Sequence, residues 1–321
     1  MSGPEGLRLN TEEQCYMPSS PTIGRPVAVL GIGSMGTAIA KALIEAGHHV
    51  TVWNRSRERL AGLTGCFVAE TAVEACRDAE ITFTCFSNLP ATYDVLKQPG
   101  VVGALQGKAL VPMSTATPDE VHGFQRFAQA SGIDYLDAKI AVTPAQIGAP
   151  TAVIFFAGPQ ALFLRVEPVL RALAGRATLM GQRIDGAVLG DFAFLSVYFA
   201  STIGILHGAA FLRNSGLNIE QFFGLIPCFL DEINARSQSF RKMIVAGDYT
   251  DVQSALKTDL AGARLLANAT ANAGMQNLFS DALIELMQDA VAQGHGDLDS
   301  AAMVQAFSKI MSTPQPVEVP G

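Results

Sequence analysis

The sequence predicts an α/β protein: a doubly wound parallel sheet of the Rossmann type at the N-terminus, one long interdomain helix, and an all-helical C-terminal domain. Three observations carry this expectation. A glycine-spaced turn, Gly31-x-Gly33-x-x-Gly36, sits between a short apolar strand and a helix; the run Gly186 to Leu212 is predominantly apolar and carries one carboxylate, Asp191; and beyond Asn218 the period is helical. At 321 residues there is room for about two domains. The expected divisions are a tail over 1–24, a nucleotide domain over 25–183, the interdomain helix over 184–212 and a helical domain over 213–321.

Composition narrows the class. With 49% hydrophobic and only 16% charged residues, against a usual ~25% charged, the chain can bury a large core and leaves surface to be covered in an oligomer. A net charge of −7 argues against a nucleic-acid or anionic-membrane binder. The cysteines (Cys15, Cys66, Cys76, Cys85, Cys228) are odd in number, scattered and without a CxxC pair. Neither a disulfide framework nor a metal site is expected, and the compartment reads as reducing and cytoplasmic. The first residues show no basic segment leading into an apolar run, so no secretory signal is expected, and 1–24 and the Pro-rich end STPQPVEVPG read as loose.

The elements follow in order. Val27 to Leu30 is a buried strand, and TAIAKALIEAG after Gly36 is a helix. Between them Gly31 permits a tight turn, Gly33 permits close approach to a pyrophosphate and Gly36 permits close helix–strand packing. Ile32, Ser34 and Met35 complete the loop, whose backbone N–H groups face the anion at the helix N-terminus. HHVTVWNRS closes the βαβ unit. Strands Cys66 to Glu70, Ile81 to Phe86 and Ala109 to Pro112 then alternate with helices at 71–76, 90–96 and 117–130. Asp134 to Asp137 and Ala152 to Phe156 are expected to extend the same sheet, followed by a helix at 160–173 and a strand at 177–180. Ligands lie beyond the carboxyl ends of such strands, which nominates Phe86, Ser87, Asn88, Ser114 and Thr115.

The end of the second strand selects the cofactor. NAD sites place an Asp or Glu there for the ribose hydroxyls. This chain has Asn54, Arg55, Ser56 and, one turn on, Arg59. A carboxylate would repel a 2′-phosphate, whereas two arginines and a hydroxyl bind it by charge-assisted hydrogen bonds, so NADPH is expected.

The run Gly186 to Leu212 has the length of a membrane span. Asp191, His207 and the lack of flanking basic clusters favour a buried helix. A helix apolar all round must be covered all round, which implies a partner subunit. Beyond it, helices are expected over 219–244, 250–273, 278–293 and 300–310. His207 and His295 show no metal-ligand spacing.

Several segments together carry a family likeness: GIGSMG, Asn54-Arg55-Ser56, STATP from Ser114, YLDAKIAVTPAQIG from Tyr135, LGDFAF from Leu189, AGDY from Ala246 and AVAQGHG from Ala290. The chain resembles the β-hydroxyacid dehydrogenase superfamily and, within it, imine reductases and reductive aminases. The resemblance implies NADPH-dependent reduction of imines, with ketones and amines as further substrates. It also implies a homodimer that exchanges the long helices, each site lying between one subunit's nucleotide domain and the other's helical domain. Relatives acting on hydroxyacids carry a Ser-Gly-Gly anchor and a lysine on the long helix. Here the anchor segment reads Lys139-Ile140-Ala141-Val142-Thr143-Pro144, and the helix position holds Asp191. A hydroxy- or aldehyde-acid dehydrogenase and a non-catalytic NADPH binder are the competing readings.

The change of sign suits the chemistry. An imine is reduced as its iminium, a cation, which a lysine repels and a carboxylate stabilises or protonates. Asp191 is the expected acid or charge stabiliser. Asn88 aligns with an Asn or Asp of the family and can hold a carbinolamine hydroxyl or a water without adding charge. The family tyrosine stands eight residues after the aspartate, where this chain has Phe199; Tyr198, one place earlier, is close to two helical turns from Asp191 and is the candidate hydroxyl. The apolar segment Phe222 to Leu230 suits cyclic or aryl-alkyl amines.

Overall fold

A computed structural model describes residues 24–307. Most of the 1–24 tail, Cys15 and the end of the helix expected at 300–310 lie outside the described residues. The chain divides into two compact units, one ending at Val197 and the other starting at Tyr198, so the division falls inside a helix.

The first unit opens with β1 (Pro26–Leu30), α1 (Ser34–Glu45), β2 (His49–Trp53), β3 (Phe67–Val68), α2 (Ala72–Arg77) and β4 (Ile81–Thr84). It continues with α3 (Leu89–Leu96), α4 (Val101–Leu105), β5 (Ala109–Pro112), α5 (Pro118–Ala130) and β6 (Asp134–Tyr135). These strands form one sheet in the order β3-β2-β1-β4-β5-β6, every pair parallel. The order reverses between β1 and β4, which opens a crevice at their carboxyl ends. Strands buried on both faces need apolar residues on both. Val29, Phe83 and Ile39 pack on one side, and Leu30, Leu89 and Phe124 on the other.

One sheet-level expectation is corrected. Asp134 to Asp137 is not a single strand, and the strand expected at Ala152 to Phe156 does not extend the parallel sheet. The Leu136 N–H still donates to the Leu110 carbonyl, but the next rung of a parallel ladder would need an N–H from Pro112, which has none. The chain therefore leaves the sheet and starts another. β7 (Asp137–Ile140) pairs antiparallel with β8 (Val153–Ala157), and after α6 (Gln160–Leu170) β9 (Arg176–Leu179) joins β8 in parallel. In β7 and β8, Ala138 and Phe156 turn toward the core beneath α6. Asp137, Lys139, Phe155 and Ala157 share the opposite face, because side chains alternate along a strand and opposed residues lie on one side.

That opposite face receives the start of α7 (Gly186–Asn214). A Cβ on Gly186 would lie 3.5 Å from the Ala157 Cβ, and one on Gly190 would lie 3.4 Å from the Phe155 ring and 3.0 Å from Met180. Two glycines one turn apart thus let the helix settle closely on the sheet. Only Ala187, Val188 and Gly190 of α7 are buried within the chain. The helix is long and apolar enough to cross a membrane by length and composition. It nevertheless exposes Val197, Phe199, Ile203 and Leu206 at 51–65%.

The second unit adds α8 (Ile219–Ala246), α9 (Leu256–Asn272), α10 (Leu278–Ala290) and α11 (Met303–Phe307). α9 starts later than its period suggests, because Asp299 takes the N–H groups of Gln253 and Ser254 before the helix begins. Asp299 is fully buried and also accepts from Ala301 N and Arg236. Burial pushes its carboxyl up, and the three backbone N–H groups with Arg236 outweigh that and hold it below the usual range.

Candidate active site

The glycine turn is fixed by steric necessity. Gly31 has φ +95°, and a Cβ there would stand 2.5 Å from the Cys85 carbonyl oxygen. A Cβ on Gly36 would stand 2.0 Å from the Gly31 carbonyl oxygen, so α1 could not approach β1 with any other residue. Gly33 differs, since nothing lies within 4 Å of its added Cβ. It faces a cavity of about 380 Å³ at the carboxyl ends of β1, β2 and β4.

That cavity brings together Gly31, Gly33, Asn54, Arg55, Ser56, Arg59, Phe86 and Ser87. Asn54 does more than line it. Its Oδ1 accepts the Ile32 N–H at 2.9 Å, and its Nδ2 donates to the Ser56 carbonyl at 2.9 Å. One amide therefore ties the glycine loop to the turn that follows β2. Arg57 is turned to Glu70 in a two-pronged pair. Arg55 and Arg59 form no salt bridge among the described residues and remain exposed at the cavity. Two uncommitted guanidinium groups and a serine at the end of β2, with Asn54 in the place where NAD sites carry a carboxylate, fit a ribose bearing a 2′-phosphate.

The remaining nominated residues lie outside that lining. Ile32 is buried and Met35 packs on the core, so their side chains serve the fold while their backbone forms the loop. Ser34 is exposed at the start of α1. Ser114, at the carboxyl end of β5, is 2% exposed and its Oγ has no partner. An orphaned buried hydroxyl beyond a strand end suits a cofactor's polar group. Thr115 beside it is exposed. Asn88 caps α3, its Oδ1 accepting from Ala91 N at 2.9 Å, which leaves the amide N–H groups as its remaining polar capacity.

Asp191 follows Gly190 where α7 meets the second sheet, and it does not line the cavity above. Burial pushes its carboxyl above the usual range, and the Lys139 ammonium opposes that rise. Lys139 is itself 3% exposed and gives hydrogen bonds to Asp137 Oδ1 (2.8 Å), Asp137 Oδ2 (2.7 Å) and the Ala138 carbonyl (3.1 Å). The Tyr135 hydroxyl donates to Asp137 at 2.9 Å. Tyr198, seven positions after Asp191, begins the second unit, is half exposed and meets Phe199 edge to face. In the second unit an apolar groove between α7 and α8 is lined by Ala200, Gly204, Gly208, Phe222, Ile226 and Phe229.

Two family models account for the chain on either side of α7's start. Residues 26–181 match the NAD binding domain of 6-phosphogluconate dehydrogenase, and residues 184–309 match the C-terminal domain of NADPH-dependent reductive aminase-like proteins. An NADPH-dependent reductive aminase from Aspergillus oryzae is 28% identical over 291 residues, covering 89% of this chain and 98% of that protein. The chain belongs to the reductive aminase and imine reductase family of oxidoreductases. Two solved structures bear out the fold of the family across both units. An imine reductase from Myxococcus stipitatus in complex with NADP+ matches at TM-score 0.81 and 25% identity, covering 88% of this chain and 99% of that one. A reductive aminase from Aspergillus terreus in complex with NADPH and ethyl-5-oxohexanoate matches at TM-score 0.79 and 28% identity, covering 89% and 100%.

For this family member, sequence reasoning missed part of the cofactor cavity. Ala91, Asp94, Val95 and Gln98 line it. Ala91, Asp94 and Val95, spaced by three and four, mark one face of α3, Gln98 continues that spacing just past its end, and that period was the available signal. Lys139 was read only as a departure from the hydroxyacid anchor.

Proposed function

We propose that the protein reduces imines and iminium ions to amines with NADPH, including iminium ions formed from a ketone and an amine, and that it works as a cytoplasmic homodimer. The observation that carries the reading is Asp191, a carboxylate on an otherwise apolar helix, part-buried and pushed upward by desolvation. A group so placed favours a cation beside it and can also carry a proton at a useful pH. The bound nicotinamide supplies the hydride. The chain's own part is to seat the dinucleotide on the Gly31–Gly36 loop, to hold its 2′-phosphate with Arg55, Ser56 and Arg59, and to keep positive charge on the substrate nitrogen through Asp191. Asn88 offers its amide N–H groups to a carbinolamine hydroxyl, and Tyr198 offers a phenol.

The dimer is supported by apolar surface on α7 and α8 that the single chain leaves open, Ile203, Leu206, Phe229 and Ile233 among it. A second copy of α7 and α8 is the natural cover, by exchange of the long helices, and an interface of this kind buries more than ~2,000 Å². With that surface covered by protein, the helix does not enter a membrane.

The deciding assay sets NADPH oxidation with a cyclic imine, and with cyclohexanone plus an alkylamine, beside NADP+ reduction with a small hydroxyacid. Turnover is expected in the first two. Turnover with the hydroxyacid alone would reassign the protein as a dehydrogenase, and binding of NADPH without any turnover would make it a non-catalytic binder.

A further inference from the structure

The second sheet carries a feature that the cofactor and substrate assignments leave unused: a charged pair sealed under the start of the catalytic helix. Asp137 and Lys139 stand two apart on β7 and so share a face, with Ala157 and Phe155 opposite them on β8. It is the face on which Gly186 and Gly190 of α7 rest. Lys139 is therefore paired with the very residue, Phe155, whose ring touches the helix one position before Asp191.

The charged and titratable groups around this part of α7 are few. On the sheet side they are Lys139, Asp137 and Tyr135, with Arg176 of β9 exposed at the edge of the same face; β8 offers none, its run being Val-Ile-Phe-Phe-Ala. At the helix entry stands Asp185, bound by Arg183 at 2.7 Å and approached by His122 at 3.6 Å. Of these only Lys139 acts electrostatically on Asp191. Asp191 makes no salt bridge or side-chain hydrogen bond among the described residues.

We propose that Lys139 is a positioning residue for the reduction: its buried ammonium, locked by Asp137, keeps Asp191 a carboxylate, so that the site selects substrates already cationic at nitrogen over neutral imines needing a proton from the enzyme. The inference rests on the imine-reducing role of Asp191 and deepens it. An ammonium in a low-dielectric interior acts strongly on a nearby carboxylate. Because Asp137 offsets part of its charge, the effect falls at the lower end of the range for a neighbouring opposite charge. The substrate class that follows is the iminium of a basic amine, aliphatic rather than aryl on nitrogen.

The test is the pH dependence of Asp191 in three proteins: the wild type, Lys139→Gln, and Asp137→Asn with Lys139→Met, in which the Tyr135 hydroxyl keeps an acceptor and no lone buried charge remains. The Asp191 carboxyl is followed by carbon NMR in the cofactor-free protein, identified by its loss in Asp191→Asn. kcat/KM is followed with a cyclic imine and with its N-methyl iminium salt. Removing the ammonium is expected to raise the Asp191 titration and the acidic limb of the rate by about one pH unit. Near neutral pH the ratio of iminium-salt to weakly basic imine turnover is then expected to fall severalfold, and Lys139→Arg is expected to restore the wild-type profile. A titration and limb unmoved in both charge-removing variants would overturn the role of Lys139. If instead Asp191→Asn keeps full wild-type turnover, the reading of Asp191 itself fails, whatever Lys139 does.

Discussion

Asn54 offers a sharp test of how the cofactor site is held, because one side chain bridges two loops. Replacing it with alanine removes both hydrogen bonds and leaves the Ile32 N–H without a partner in a site where Ile32 is 1% exposed. An unsatisfied buried N–H costs about 1–3 kcal/mol and the second bond about 1 kcal/mol, a loss on the order of 2–4 kcal/mol. At about 2–4 °C per kcal/mol for a unit of this size, the melting temperature should fall by about 4–16 °C. NADPH affinity, read by quenching of Trp53 in the cavity wall, should weaken about tenfold or more, because the loop is no longer set before binding. Asn54→Asp separates the parts: its carboxylate still accepts from Ile32 N, so most stability returns, while charge repulsion at the 2′-phosphate weakens NADPH and spares NADH. An Asn54→Ala protein with unchanged melting temperature and unchanged NADPH affinity would refute the bridge.

Arg55→Ala and Arg59→Ala should each weaken NADPH about tenfold at low salt, less at high salt, and leave NADH untouched, as measured by cofactor titration. Asp191→Asn should lower turnover by roughly 10²-fold or more. It should also raise the melting temperature near neutral pH: a carboxyl raised on folding contributes stability only while protonated and loses it as pH rises through the folded value, so the amide relieves a cost at neutral pH. Asp299 carries the opposite sign. Its carboxyl is lowered on folding, so the stability it gives is present above the ordinary carboxylate pKa and is lost as pH falls, and Asp299→Ala should flatten the acid limb of unfolding. Phe229→Asp with Ile203→Asp should yield a monomer in sedimentation if a second copy covers that surface.

The fold was legible where a local rule had only one outcome. Gly31 and Gly36 admit no Cβ, and the alternation of short apolar strands with helices indicated a parallel, doubly wound sheet. It was not legible where a distant partner decided. Nothing near Asp134 announces that the missing N–H of Pro112 ends the ladder, so the second sheet was read as part of the first. α4 was passed over because Gly103 interrupts five residues too short to show a period. At the site, residue types were readable and their partners were not. Asn54 was expected to touch the cofactor; it lines the cavity and also ties two loops together, while Asn88 spends its carbonyl on a helix cap. Asp191 stood out because a carboxylate in an apolar helix is rare. Lys139 did not, because a lysine in a strand is usually solvated.

The pairing of Lys139 bears on covalent chemistry as well as on charge. An ammonium has three N–H donors, and here all three are committed, two to the oxygens of Asp137 and one to the Ala138 carbonyl. A ketone can condense only with an amine that has shed a proton and bared its lone pair. Beside a ketone of the kind proposed as substrate, a bare lysine would compete with the amine and tie up the protein as its own Schiff base. Clamped in this way the side chain lends its charge and withholds its nucleophilicity, so borohydride added with a ketone should leave Lys139 unmodified.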